Sequence, residues 1–134
     1  MISIKNLSFS YPKCEPLFAH LSMEIGTGNI VGLFGKNGSG KTTLLKLLCG
    51  LLFKEQGQLQ VMGYSPEDRL PSFLENVFLI PEEFELPPIT IEQFILANSR
   101  FYPLFDHGIM HELLDLCELS SGNAINKLSF GQKK

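Results

Sequence analysis

The eight residues from Gly35 to Thr42, GKNGSGKT, constrain the fold of this chain more than any other segment. They match the pattern G-x-x-x-x-G-K-[ST], which needs a strand before the loop and a helix after it. The apolar run 30–34, IVGLF, is typical of a strand buried on both faces. Leucines recur at helical spacing after Lys41. The pattern therefore predicts an α/β fold in which this loop joins a strand to a helix.

The residue types of the loop indicate a phosphate ligand, so we call it the P-loop. Successive backbone N–H groups can surround a polyphosphate where no Cβ blocks the approach, which accounts for the glycines. The following helix directs its unsatisfied N–H groups and positive dipole end to the same place. The amine of Lys41 suits the β- and γ-phosphates, and the hydroxyl of Thr42 suits Mg²⁺. The predicted nucleotide-binding residues of this region are Gly35, Lys36, Asn37, Gly38, Ser39, Gly40, Lys41, Thr42 and Thr43.

Other apolar patterns predict a β-rich first part of the chain. Residues 2–9 and 21–25 alternate loosely and predict an antiparallel pair of strands, with a turn or loop over 11–18 between them. Residues 57–64 predict another strand, and 77–81, VFLIP, is a further apolar run that ends at a proline.

The character of the sequence changes after Pro88. Thr90 is a candidate helix N-cap with Gln93 three residues later, as in a capping box. Asp106 is a candidate N-cap for a second helix that carries apolar residues at helical spacing. We therefore expect residues 89–134 to form a helical subdomain and residues 1–88 to form a β-subdomain with the P-loop core.

Charge and composition exclude some classes of protein. The formal net charge is −3, and no basic run is longer than Lys133–Lys134, so nucleic acid is not an expected partner. No stretch approaches 18 apolar residues and no secretory h-region is present, so direct membrane insertion is not expected either.

The three cysteines are far apart and are expected to be reduced, buried thiols. His107 and His111 have helical i, i+4 spacing but lack a third ligand, so we interpret them as surface residues rather than a metal site.

The segment 127–134, KLSFGQKK, supplies a second motif. Residues 128–132, LSFGQ, resemble the LSGGQ signature of ATP-binding-cassette (ABC) proteins, with Phe130 at the position where glycine is commonest. The sequence from residue 7 to 64 also resembles the N-terminal half of that family. Together with the signature, the resemblance covers essentially the whole chain. It implies a P-loop NTPase of ABC ATPase type, with an N-terminal antiparallel β portion and a helical subdomain, that binds ATP and Mg²⁺.

The resemblance implies roles for residues outside the P-loop. Tyr11 occupies the position of an aromatic that stacks on adenine, although a tyrosine that fills a loop before Pro12 is the alternative. Glu82 occupies the position of the Q-loop glutamine and would sense Mg²⁺; the alternative is that Glu82 and Glu83 form a solvated acidic turn. The signature residues would act on the ATP of a second protomer in a head-to-tail dimer: Ser129, Gly131 and Gln132.

Members of the family continue beyond the signature to a Walker B aspartate, a catalytic glutamate and a switch histidine. These 134 residues include none of them, so we expect the C-terminal core strands to be missing, no catalytic residue in this chain, and nucleotide binding without turnover. The resemblance implies that the parent protein is an ATP hydrolase at the cytoplasmic face of the membrane. It would drive transport through separate permease subunits of exporter type. The alternatives are a non-transport ABC protein of translation or repair type, and a truncated, non-hydrolytic nucleotide-binding module.

Overall fold

The computed structural model describes residues 1–82 and 85–133, which form two compact units, Met1–Leu79 and Ile80–Lys134. The boundary predicted from the sequence, after residue 88, lies further along the chain than the boundary in the structure. Leu86, which precedes the predicted boundary, packs against the hydrophobic core of the second unit. The few residues before the predicted boundary therefore belong with the helices that follow them.

The first unit contains a three-stranded antiparallel sheet in the order β2-β1-β3. Strand β1 spans Ile2–Ser10, β2 spans Pro16–Ile25 and β3 spans Gln56–Val61. The predicted antiparallel pair is therefore confirmed. The prediction of a loop through residue 18 is wrong at its end, because Phe18 pairs opposite Phe9 and extends β2 back to Pro16. Proline is tolerated there because it is the first residue of an edge strand.

An irregularity in β1 explains why its apolar pattern is loose. Ile2 and Ile4 occupy even positions, whereas Leu7 and Phe9 occupy odd positions, yet Ile4, Leu7 and Phe9 are all buried in one core cluster. The pairing register shifts between Ile4 and Leu7, and Asn6 has a positive φ of 50°. A β-bulge at this point restores the apolar side chains to the same face of the sheet.

Helix α1, Lys41–Leu48, covers that face of the sheet. Leu44 and Leu47 join the buried cluster, whereas Leu45 and Leu51 are exposed, so only some of the leucines that recur after Lys41 face the core. The helix ends at Leu48 with Cys49 as its C-cap. Gly50 follows with a φ of +68°, and the Leu51 N–H donates to the Lys46 carbonyl. The short helix α2, Pro71–Leu74, follows and buries Phe73.

The apolar runs 30–34 and 77–81 do not form strands, so the prediction of a buried strand before the P-loop is wrong. Ile30 is fully exposed and Phe34 is 93% exposed. A strand buried on both faces needs neighbouring strands and a layer on each side. Among residues 1–82 and 85–133, the sheet contains β2, β1 and β3 alone, and none of them pairs with 30–34.

The second unit is helical, as predicted. It contains α3, Ile91–Asn98, α4, His107–Leu116, and α5, Phe130–Lys133, around a core of Ile91, Leu114 and Ile125. The capping box at Thr90 and Gln93 and the N-cap at Asp106 are both confirmed. The Ile125 N–H donates to the Ile89 carbonyl and ties residues 123–125 to the start of α3.

Two further sequence expectations concern the surface. Cys14 and Cys117 are exposed and Cys49 is half-buried, so the expectation of three buried thiols is wrong; all three are free. Cys14 lies in the connection between β1 and β2, and Cys117 directly follows α4. Within the described part of the chain, no helix has both the length and the apolar character needed to cross a bilayer.

Candidate functional site

The P-loop of the first unit forms a turn that leads directly into α1. The Ser39 N–H donates to the Lys36 carbonyl at 3.2 Å and closes the turn. Gly38 has a φ of +80° with open space where a Cβ would stand. The loop therefore exposes its backbone at Gly38, as a polyphosphate site requires.

Lys41 holds the loop in this shape. Its Nζ donates to the carbonyl of Gly35 at 2.9 Å and to that of Lys36 at 2.8 Å. The ammonium group therefore lies within the loop, at the start of α1. A cation at this place supplies the charge that a bound phosphate needs.

The first turn of α1 has no competing acceptor from its own cap. Gly40 is the N-cap, with φ of 92° and ψ of 8°, and has no side chain that could accept from the first N–H groups. The first turn also contains no acidic residue. Unsatisfied N–H groups and the positive end of the helix dipole thus remain for an anion.

Close packing inside the loop is a second reason for its glycines. A Cβ on Gly40 would stand 2.7 Å from the ring of Phe18, and one on Gly35 would stand 2.8 Å from the Oγ of Ser39. Phosphate access alone therefore does not explain these two positions, because a side chain at either would require Phe18 or Ser39 to move.

The two threonines after Lys41 have different surroundings. Thr42 is exposed, so its hydroxyl is accessible to a cation. Thr43 is buried, and its Oγ1 lies 3.0 Å from the Oη of Tyr11. The sequence gives no indication of this contact, because the two residues are far apart in the chain and belong to no common motif.

Tyr11 is brought next to the P-loop by this hydrogen bond. Its ring meets that of Phe9 edge-on, with 5.0 Å between the centroids and 86° between the planes, and 39% of the residue is exposed. The structure thus brings the predicted base-stacking residue and the predicted phosphate-binding residues into one region of the first unit.

The charge distribution along the chain favours an anion at this site. Between Glu24 and Glu55 the sequence contains four lysines and no carboxylate, although the chain as a whole is acidic. This segment includes the whole P-loop and α1. This local excess of lysines is visible in the sequence, but the net charge of the whole chain does not show it.

The signature residues belong to the second unit. The Oγ of Ser129 accepts from the Gln132 N–H at 3.3 Å, and Oε1 of Gln132 accepts from the Ser129 N–H at 3.0 Å. This reciprocal pair is a capping box at the start of α5. Nothing lies within 4 Å of a Cβ built on Gly131. The spacing S-x-x-Q of these two residues is itself the sequence signal for this cap.

Glu82, the predicted Mg²⁺ sensor, is an exposed residue in a bend of the second unit. Glu83, which the acidic-turn alternative includes, lies outside the described residues.

The P-loop itself offers what Mg²⁺ and a triphosphate need: the Lys41 amine, uncapped N–H groups, open space at Gly38 and the Thr42 hydroxyl. In the part of the chain that the structure describes, no group of three metal-ligating side chains is present. The ring of His107 packs edge-on against Phe105.

A family model described as "ABC transporter" matches residues 18–134. An energy-coupling factor transporter ATP-binding protein of Fusobacterium nucleatum is 46% identical over 69 residues, 52% of this chain and 26% of the relative. The ABC transporter ATP-binding protein YtrB of Bacillus subtilis is 31% identical over 135 residues, which cover 100% of this chain and 46% of the relative. The chain therefore spans less than half the length of these two curated relatives.

The fold is also similar to that of a solved ATP-binding subunit of an ABC transporter. The two agree with a TM-score of 0.85 at 24% sequence identity, over 99% of this chain and 57% of that one. At this level of identity the likeness concerns the fold alone.

Proposed function

We propose, from the premise that this chain belongs to the ABC transporter family, that it is the ATP-binding part of a transporter subunit. One observation carries the proposal: the Lys41 ammonium group lies within a glycine-rich loop, beside the uncapped and carboxylate-free start of α1. That combination of a cation, free N–H donors and open backbone is what a triphosphate binds.

Each part of the site would have its own role toward Mg·ATP. Lys41 and the backbone N–H groups from Gly35 to Thr43 would hold the phosphates. The exposed hydroxyl of Thr42 would be a ligand of Mg²⁺, which neutralises phosphate charge. The ring of Tyr11 would stack on the adenine base. Glu82 would be the Mg²⁺ sensor that its Q-loop position implies.

We propose further that the 134 residues bind nucleotide without turnover. In the family, ATP hydrolysis uses a glutamate that polarises the attacking water and an aspartate that anchors Mg²⁺. Nothing in the printed sequence matches the motif that carries these carboxylates. The P-loop contributes positioning and charge, but it has no general base of its own.

The partners belong to the same proposal. Ser129, Gly131 and Gln132 would face the ATP of a second protomer in a head-to-tail dimer with two-fold symmetry. Permease subunits would hold the ATPase at the inner face of the cell membrane and determine what is transported. The exporter type rests on the resemblance of FYPLFD and LSFGQKK, residues 101–106 and 128–134, to exporter ATPases.

Titration calorimetry with Mg·ATP tests the proposal. We expect binding by the unmodified chain and at least about tenfold weaker binding by Lys41→Ala, because hydrogen bonds from a charged donor are strong. Lys46→Ala removes the same charge from the last turn of α1 and is the matched control. Equal affinities of both variants for Mg·ATP would refute the assignment of the site.

Phosphate release tests the second part of the proposal. We expect the unmodified chain to release inorganic phosphate from ATP no faster than a buffer blank. Release that disappears in Lys41→Ala would show turnover at this site and would refute the proposal of binding alone.

A further inference from the structure

The end of β1 and the start of β2 are attached to the beginning of α1 at two points. Tyr11, directly after β1, forms the hydrogen bond of 3.0 Å with Thr43. Phe18, in β2, lies against Gly40, where a Cβ would stand 2.7 Å from its ring. Because Phe18 pairs opposite Phe9, both contacts come from the same end of the sheet.

The ring of Tyr11 is held from two directions. The ring of Phe9, itself 5% exposed, contacts it edge-on, and the side chain of Thr43 bonds its hydroxyl. Thr43 is a firm anchor, since it is buried in the first turn of α1 and is β-branched, which restricts its χ1. The remaining exposed surface of Tyr11 is presented in a fixed orientation.

We propose that Thr43 is a positioning residue for the nucleotide base, because its hydroxyl holds the Tyr11 ring in a fixed relation to the P-loop. The inference rests on the proposed nucleotide-binding function and deepens it. A ring that is already ordered loses less side-chain freedom when a base stacks on it, so the hydrogen bond raises affinity for nucleoside triphosphates. Stacking uses the π-face that every base has, so the effect extends to ATP and GTP alike.

Two ligands separate the base from the phosphates: Mg·ATP, and Mg²⁺ with inorganic tripolyphosphate. Tyr11→Phe keeps the ring and removes only its hydroxyl. We expect it to bind Mg·ATP about 3- to 10-fold more weakly, the range that one hydrogen bond accounts for, and tripolyphosphate with unchanged affinity. Tyr64→Phe removes a hydroxyl from a tyrosine that packs against Phe73 instead, and it is expected to bind both ligands like the unmodified chain.

Substitutions at Thr43 test the other side of the contact. Thr43→Val has nearly the same shape without the hydroxyl and should weaken Mg·ATP binding, whereas Thr43→Ser keeps the hydroxyl and should restore it. The double variant Tyr11→Phe/Thr43→Val should bind Mg·ATP no more weakly than Thr43→Val alone, because both changes remove the same hydrogen bond. Additive losses would overturn the inference.

The outcomes for the inference and for the proposed function are distinct. If Tyr11→Phe binds Mg·ATP as tightly as the unmodified chain, or loses tripolyphosphate equally, Thr43 does not position the ring and only the inference fails. If the unmodified chain binds neither ligand, the proposed function and the inference both fail. Thermal unfolding of each variant with neither ligand present shows that the compared chains are folded.

Discussion

Gly40 satisfies two independent requirements at the scale of a single residue. Its φ of +92° lies in the left-handed region that side chains disfavour, and the ring of Phe18 occupies the space where a Cβ would stand. The motif predicts glycine at this position from the needs of a phosphate ligand. The contact with Phe18 was not predictable, because it depends on how β2 packs beside the loop.

Alanine substitutions separate the two requirements. Gly38→Ala meets only backbone strain, so we expect it to lower the free energy of unfolding by about 1–2 kcal/mol. Gly40→Ala adds overpacking and should cost about 1–3 kcal/mol more. Urea denaturation measures both values. Phe18→Leu in the Gly40→Ala background should recover part of the loss, and equal losses for the two alanine variants would argue against the packing requirement.

The cysteines differ in reactivity for a reason that only the structure reveals. Burial raises the pKa of the Cys49 thiol above its usual value, so a smaller fraction is thiolate at a given pH. We expect iodoacetamide at pH 8 to modify Cys14 and Cys117 before Cys49, with the difference lost in urea. Peptide mass spectrometry over time measures the order. Modification of Cys49 first in the folded chain would contradict it.

At the scale of elements, the sequence predicts best where the determinants are local. The caps at Thr90 and Asp106 need only residues within one turn, and both predictions are confirmed. The strand predicted over 30–34 is wrong because a strand forms only where another strand pairs with it, and an apolar sequence does not guarantee such a partner. The capping role of Ser129 and Gln132 is equally local, and the spacing S-x-x-Q alone would have predicted it.

The capping box of α3 provides a test at this scale. Thr90→Ala should lower the free energy of unfolding of the second unit by about 1 kcal/mol, since the Gln93 N–H loses its acceptor. Gln93→Ala in the same background should add less than it does alone, because the two hydrogen bonds support one cap. Urea denaturation followed by helical circular dichroism gives the values. Thr27→Ala, in an exposed turn of the first unit, is the control.

At the scale of the whole molecule, the apolar segment before the P-loop has the largest effect. Ile30 and Phe34 expose nearly all of their side chains, and contiguous apolar surface of this kind favours association. The composition alone does not reveal this, because 44% apolar residues would also suit a fully covered core. The segment 30–34 is exposed because, among the described residues, no strand lies beside it in the sheet.

We therefore expect the 134-residue chain to associate as its concentration rises. Light scattering should show a mean mass that increases with concentration, and Phe34→Lys should reduce the increase. Ser72→Lys adds the same charge at an exposed position in α2 and should leave the association unchanged. A constant monomer mass for the unmodified chain would contradict the expectation.

The bulge in β1 has a consequence for how this protein can vary in length. Before the bulge at Lys5–Asn6 the core-facing residues have even numbers, and after it they have odd numbers. A change of one residue at this bulge would place Ile2, Ile4, Leu7 and Phe9 in one regular alternation, so all four could face the core without a bulge. Gene variants whose length differs by one residue within this strand should therefore differ at the bulge rather than on either side of it.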